Sequence, residues 1–412
     1  MRHNTPFPIR NTANLCSFLQ HAWTNGWLDE YSDEHFLIKA IENRLTTFVC
    51  REQLIENNIN QQGIINPDGS VNTSAFNLNF CINFSGRLQF LTKTFGINNV
   101  VRFMTDQMSA GKRRYKENTF FEALSEISIL SFYASRFSWM EAFYEPPVVS
   151  GVNNKNPEAR FVGPLCCRHM GDGRRQTERV VTINIEVKSP EFPHNRHENE
   201  KIAIPTMLLT EEGRQSVQRF CKENDVTYLP PRVLKLRDFL NSATAKFSVP
   251  QDNEFNLLYI NWSYRDFPSN SFLEAWALLT NEINGILTHP KVALDIGVSP
   301  DAFKKISAVI VYTESLEGLM FSDFRYVWQR NHAGPRFRMW VINEKLREAE
   351  LSDESNVLFN ITGMNPCEKS TQRLMIDCKS KTLDERANSA FLSLQLSKLI
   401  EENVETETYE TM

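Results

Sequence analysis

Two apolar runs constrain the fold of this chain more than any other feature of its sequence. Residues 255–262 (FNLLYINW) and 306–314 (ISAVIVYTE) are rich in β-branched and aromatic residues and are as short as typical strands. Mostly apolar runs of this length are typical of strands that are buried on both faces of a sheet. The segment between them, residues 271–287, has apolar residues at helical spacing. We therefore expect two buried strands that are connected through a helix.

A hairpin is predicted upstream of these strands. Residues 159–170 and 178–190 have strand-like composition, and the residues GDGRRQ between them supply a turn. Helical spacing predicts one helix before the hairpin and another after it, at residues 233–247. Hairpin strands followed by strands in crossover connections predict a mixed α/β fold, in which a mixed β-sheet is flanked by helices.

The length of 412 residues indicates two or three domains. The first 110 residues have mostly helical spacing, and the last twelve contain five glutamates and no basic residue. From these shifts we predict a helical N-terminal region at 1–110, a core at 111–320, a basic, aromatic and helical region at 321–400, and an acidic disordered tail at 401–412.

Composition excludes several classes of protein. No run of about 18 apolar residues is present, so no membrane contact is expected, and the N-terminus lacks the apolar segment of a secretory signal. The eight cysteines form no C-x-x-C pair, which is typical of reduced thiols in a cytoplasmic protein rather than of a zinc site. Neither the phosphate-binding loop of nucleotide-driven motors nor the G-x-S-x-G motif of serine hydrolases occurs.

The net charge is −5, but the five glutamates of the tail account for all of it, so the rest of the chain is neutral. Local basic clusters can therefore still face a phosphate backbone. Each cluster can equally be a solvated face or an amphipathic strand. The candidate nucleic-acid-binding residues are Lys112, Arg113, Arg114, Arg174, Arg175, Arg330, Arg336 and Arg338.

The second hairpin strand carries Glu186 and Lys188 two residues apart. Because side chains alternate along a strand, both lie on the same face of the sheet. A carboxylate there can hold Mg²⁺, which prefers oxygen ligands, and a lysine can activate water or stabilise charge on a phosphate. A plain salt bridge on an edge strand is the simpler alternative.

The helix before the hairpin is predicted at residues 119–137, with Asn118 or Thr119 as its N-cap. It is apolar on almost every side, which predicts burial. Glu122 and Glu126 lie four residues apart on one face of it. A buried carboxylate needs a partner, which can be an arginine, Lys188 or a metal ion, and Glu126 is the favoured candidate because it lies deeper in the helix.

These residues together resemble the PD-(D/E)XK, or restriction-endonuclease-like, nuclease superfamily. The matching features are Glu158 after a proline at the head of the first hairpin strand, Glu186 and Lys188 on the next strand, and an acidic residue on the upstream helix. The resemblance covers residues 115–315, about half of the chain. It implies a restriction-endonuclease-like core of helix, three strands, helix and strand.

The resemblance implies a nuclease that depends on Mg²⁺ or Mn²⁺ and cleaves DNA rather than RNA, in a restriction or phage-defence role. It implies that Glu158 and Glu186, with Glu122 or Glu126, bind the metal, and that Glu126, Glu158, Glu186 and Lys188 are catalytic. The chain departs from the family where Glu158 stands in place of the usual aspartate. The alternative is a catalytically inactive nuclease-fold protein that binds nucleic acid or serves as a structural subunit, with homo-oligomers or other protein partners.

Overall fold

The computed structural model describes most of the predicted core. The described residues are 1–9, 14–46, 72–146, 156–168, 176–190, 232–262, 290–313, 336–342 and 357–363, with short pieces at 66, 70, 203–205, 219–220, 222–223, 227–229, 275–276, 278–280, 285–288 and 346. The predicted hairpin turn, most of the helix predicted at 271–287 and the acidic tail lie outside the described residues.

The helices of the described residues are α1 (Ser17–Thr24), α2 (Phe36–Ile41), α3 (Thr73–Phe95), α4 (Ile97–Phe103), α5 (Glu117–Arg136), α6 (Arg232–Lys246), α7 (Pro290–Asp295), α8 (Ala302–Lys305) and α9 (Val357–Thr362). A π-helical turn at Met104–Met108 continues α4. The strands are β1 (Glu141–Tyr144), β2 (Ala159–Arg168), β3 (Gln176–Lys188), β4 (Ala203–Pro205), β5 (Thr227–Leu229), β6 (Glu254–Asn261), β7 (Ala308–Thr313) and β8 (Arg336–Val341).

Six strands form one mixed sheet in the order β1-β2-β3-β6-β7-β8. The outer pairs β1–β2, β2–β3 and β7–β8 are antiparallel, whereas β3, β6 and β7 are parallel. The predicted mixed sheet flanked by helices is therefore confirmed. The predicted order of hairpin first and crossovers later also matches the described strands.

Helices cover both faces of the sheet, and the side chains of β6 alternate between two hydrophobic cores. Leu257 and Tyr259 face a core that contains residues of α1–α5, and Leu258 and Ile260 face a core that contains α6. This double burial explains why β6 is buried at almost every position and why its middle residues are apolar. The N-terminal helices share the first core with α5 and the sheet.

Two local predictions need correction. The helix α5 begins at Glu117, and its N-cap is Lys116, which has extended backbone angles and no side-chain capping bond, so Asn118 and Thr119 already lie inside the helix. In the region predicted to be helical, helical spacing taken over residues 87–95 alone indicates a short helix, but these residues form the second half of the long helix α3, which the side chain of Asn72 caps at its start.

No helix within the described residues combines the length and the apolar character that a membrane span requires. Cys16 and Cys81, which are buried, and Cys166, which is exposed, have free thiols.

Candidate active site

Glu158, Glu186 and Lys188 converge at one end of the central strands. Glu186 and Lys188 lie at the C-terminal end of β3, beside Leu258 and Ile260 of the parallel strand β6. Glu158 immediately precedes β2, and its backbone N–H donates to the carbonyl of Ile185, 2.9 Å away. This bond brings the two glutamates to adjacent strands at the same edge of the sheet, as the sequence predicts.

A second lysine joins the three predicted residues. Lys246, the last residue of α6, places its Nζ 2.9 Å from Glu158 Oε1 and 2.9 Å from Glu186 Oε2. Lys188 Nζ lies 2.6 Å from Glu186 Oε1 on the same strand. Glu158 and Glu186 therefore share one ammonium group, and Glu186 contacts two.

Sequence reasoning missed Lys246, and its signal in the sequence is weak. A lysine in the last turn of a helix is common, because cations are favoured near the negative end of the helix dipole. One indication in the sequence is that α6 is followed along the chain by β6, the strand next to Glu186. The last turn of α6 must therefore lie near one end of β6. Only the tertiary arrangement shows that the ammonium reaches both carboxylates.

Glu126 is buried on α5 and accepts a hydrogen bond from the Tyr144 hydroxyl at 3.3 Å. Burial, and then the negative charges of Glu158 and Glu186, raise the pKa of Glu126 well above its usual range. Glu126 therefore belongs to the same electrostatic cluster as Glu158 and Glu186. Glu122, one turn earlier, is exposed, so of the two predicted helix carboxylates it is Glu126 that lies in the interior.

Glu186 has no exposed side-chain surface. Burial and the charge of Glu158 raise the pKa of Glu186 to about 7, against the opposing effects of Lys188 and Lys246. Burial lowers the pKa of Lys246, but Glu186 and Glu158 outweigh that effect, and the net pKa of Lys246 is raised. Lys246 thus stays charged at neutral pH, while Glu186 changes its protonation near neutrality.

The geometry provides two carboxylates rather than a complete acidic cage for a metal. Across the part of the chain that the structure describes, no group of three or more His, Cys, Asp or Glu side chains is arranged to hold an ion. Of the two candidates for a third ligand, Glu126 accepts a hydrogen bond from Tyr144 and Glu122 is exposed. The Lys246 ammonium lies between the two remaining acids.

The donor set of this pair nevertheless fits a hard divalent cation. The two carboxylate oxygens lie 2.9 Å from one nitrogen, so they are separated by at most twice that distance. Glu186 Oε1 is buried and makes no hydrogen bond of good geometry, although two ammonium nitrogens lie within ion-pair distance of it. Mg²⁺ is commonly held by one or two carboxylates together with water and substrate phosphates.

Comparison of the chain with protein-family models, curated proteins and solved structures found no match.

A buried polar network supports the site from behind. Asn184, two residues before Glu186, accepts a hydrogen bond from Arg160 and donates to Glu254 and Asn256 at 2.8 and 2.7 Å. Asn256 in turn donates to the carbonyl of Ser248, which follows Lys246 by two residues. The network therefore connects β2, β3 and β6 to the C-terminal end of α6, from which the side chain of Lys246 extends to the two glutamates.

The predicted basic residues fall into three groups. Lys112, Arg113 and Arg114 form an exposed turn before α5, and Lys112 pairs there with Glu30. Arg336 and Arg338 lie in the outermost strand, β8. The other three lie outside the described residues: Arg174, Arg175 and Arg330.

Arg338 occupies the same transverse row of the sheet as Lys188. The row runs from Lys188 to Ile260, then to Val311, and ends at Arg338. Three strand spacings separate its two ends, which is roughly 14 Å. The backbone of β8 thus passes the same edge of the sheet as the candidate active site.

Proposed function

We propose that this protein is a nuclease that depends on Mg²⁺ or Mn²⁺ and hydrolyses phosphodiester bonds, with a restriction-endonuclease-like core. The observation that carries the proposal is the convergence of Glu158, Glu186 and Lys188 at one end of the central strands. Divergence of these three residues would have removed the basis of the proposal.

The order of elements gives independent support. From α5 onward the large sheet and its helices follow the order helix, three strands, helix and strand, through β1, β2, β3, α6 and β6. The candidate residues lie at corresponding points of that order. Glu126 is on the first helix, Glu158 stands at the head of the second strand, and Glu186 and Lys188 end the third.

Each residue has a role that its surroundings allow. Glu158 and Glu186 hold the divalent cation, which when bound polarises the scissile phosphate and stabilises the leaving oxygen. Lys188, 2.6 Å from Glu186, orients the attacking water and stabilises the negative charge that develops on the phosphate. Glu126, whose pKa the two acids and burial raise, can hold a proton beside them and so adds less negative charge to the site.

Basic residues near the sheet edge provide the contacts to the substrate backbone. Arg338 lies in the row of Lys188, and the exposed turn Lys112–Arg114 precedes the helix that carries Glu126. Arginine and lysine contacts to phosphate supply most of the affinity of proteins for nucleic acid. DNA as the substrate, and a role in restriction or phage defence, follow from fold analogy.

The alternative is a nuclease-fold protein without catalysis, which binds nucleic acid or serves as a structural subunit. One observation favours it: the Lys246 ammonium lies between Glu158 and Glu186, at the position where a metal ion would bind. A protein of this kind binds nucleic acid equally well with Mg²⁺ and with a chelator, and it cleaves in neither condition.

The experiment that tests the proposal is a cleavage assay on linear, circular and single-stranded DNA and on RNA, with Mg²⁺, Mn²⁺ or EDTA. We expect cleavage that requires the metal and that Lys188→Ala abolishes. Lys93→Ala is the matched control, because Lys93 is exposed and lies on α3. Binding without cleavage under all metal conditions would overturn the nuclease function in favour of the alternative.

A further inference from the structure

Lys246 differs from Lys188 in what it contacts. Its Nζ lies within 2.9 Å of carboxylate oxygens of both Glu158 and Glu186, whereas the described ion pair of Lys188 is with Glu186. The two glutamates come from neighbouring strands, and Lys246 comes from a helix. The ammonium thus joins three separate elements through two charge-assisted hydrogen bonds.

Two acids and two lysines meet around Lys246 in the metal-free protein. Glu158 and Glu186 lie within ion-pair distance of Lys246, and Glu186 also lies within ion-pair distance of Lys188. A divalent cation held by both Glu158 and Glu186 would take the place of the Lys246 ammonium, and the like charges would repel in a buried site. Both cations cannot occupy that position.

The side chain of Lys246 has a route out of this position. It is 15% exposed, and it extends from the final residue of α6 on a flexible four-carbon stem. Glu186, by contrast, has no exposed side-chain surface. Movement of the lysine is therefore the way to open the site that disturbs the core least.

We propose that Lys246 is a displaceable internal cation, which bridges Glu158 and Glu186 in the metal-free protein and leaves that position when a divalent cation binds. This inference rests on the proposed function, because it assumes a metal site at the two acids. Metal binding is then an exchange of one cation for another. The lysine lowers the apparent affinity for the metal, and when the metal is absent it offsets the negative charge of the two acids.

The test compares Lys246→Met with Lys188→Met, which removes a lysine that contacts one acid of the same site. Mn²⁺ affinity is measured by titration calorimetry, and melting temperature is measured in EDTA. We expect Lys246→Met to melt lower than the wild type in EDTA and to bind Mn²⁺ about tenfold or more tightly, which corresponds to loss of a competing cation worth ~1.4 kcal/mol. Lys246→Arg keeps the charge and should keep the weaker affinity.

Labelling of the wild type provides a measurement that does not depend on a variant. An amine-reactive acetylating reagent should modify Lys246 severalfold faster after Mn²⁺ is added, because the freed ammonium no longer bridges the acids. Exposed Lys93 should react at the same rate in both conditions.

The possible outcomes separate the two proposals. Equal or weaker Mn²⁺ affinity in Lys246→Met, no Mn²⁺ binding by either protein, or unchanged labelling of Lys246 while Mn²⁺ is bound would overturn the displaceable lysine. Mn²⁺ binding by Lys246→Met but not by the wild type would support the lysine and contradict the nuclease function. If Lys246→Met binds Mn²⁺ more tightly but the wild type cleaves no substrate, the displaceable lysine is supported and the nuclease function alone is contradicted.

Discussion

Glu186 combines a fully buried carboxylate with two lysine neighbours, and its protonation state sets the charge of the metal-free site. Its pKa is about 7, above the value of 4.5 that applies in an unfolded chain. A carboxylate with a raised pKa favours folding while it is protonated, and that contribution is lost as the pH rises through the pKa of the folded state. The metal-free protein should therefore lose stability between pH 4.5 and 7.

The variant Glu186→Gln should remove this loss, because glutamine keeps the size of the side chain and does not titrate. Since one pKa unit corresponds to ~1.4 kcal/mol, the wild type should lose roughly 3 kcal/mol more than the variant across that pH range in EDTA. Denaturant unfolding at several pH values measures the difference. Parallel pH profiles for the two proteins would show that Glu186 does not titrate in this range.

Glu126 and Glu122 form a matched pair on one helix, one buried and one exposed. Because burial and the neighbouring carboxylates raise the pKa of Glu126 well above its usual range, Glu126→Gln should leave the melting temperature in EDTA nearly unchanged. It should slow metal-supported cleavage about ten- to a hundredfold, as removal of a group beside the metal ligands does. Glu122→Gln should change neither quantity. Equal cleavage rates in the two variants would remove Glu126 from the site.

At the scale of elements, the position of Lys246 depends on how α6 is joined to the sheet. Asn256 on β6 donates to the carbonyls of Ser248 and Lys305 at 2.8 and 2.6 Å, and it accepts from Asn184. These bonds hold the chain that follows α6 against the central strands. The polar network is thus a positioning device for the ammonium that bridges the two acids.

Asn256→Ala should destabilise the protein by about 1–3 kcal/mol, because it leaves buried polar groups without partners. It should also reduce the melting difference between wild type and Lys246→Met in EDTA, since the lysine is no longer held in place. Asn79→Ala is the control, because Asn79 bonds within its own helix. Additive effects of Asn256→Ala and Lys246→Met would show that the network does not position the lysine.

The sequence predicts helices and strands better than it predicts the tertiary contacts between them. The strands β6 and β7 were predictable because burial on both faces requires mostly apolar side chains. The shared face of Glu186 and Lys188 on β3 was predictable because side chains alternate along a strand. The predicted N-cap of α5 lies too far along the chain, since Lys116 takes the cap conformation without a capping side chain. Lys246 was not predictable, because its two partners lie 88 and 60 residues away.

At the scale of the whole molecule, Glu158, Glu186, Lys188 and Lys246 lie at the same end of the sheet that the backbone of β8 passes. If this end binds nucleic acid, Arg336→Ala combined with Arg338→Ala should weaken binding and reduce the slope of log affinity against log salt by about one for each phosphate that the variant no longer neutralises. Fluorescence anisotropy with labelled DNA at several salt concentrations measures this slope. Unchanged affinity at low and high salt would assign β8 to another role.

The central claim is that metal held by Glu158 and Glu186 supports phosphodiester cleavage. The most direct test is the single-turnover cleavage rate with Mn²⁺ for the wild type, Glu186→Gln and Glu178→Gln. Glu178 is the matched control, because it is an exposed glutamate on the same strand, β3. The account predicts that Glu178→Gln cleaves at the rate of the wild type, whereas Glu186→Gln is slowed by about two or more orders of magnitude, because it removes one of the two carboxylates that hold the metal. Equal cleavage by Glu186→Gln and the wild type would contradict it.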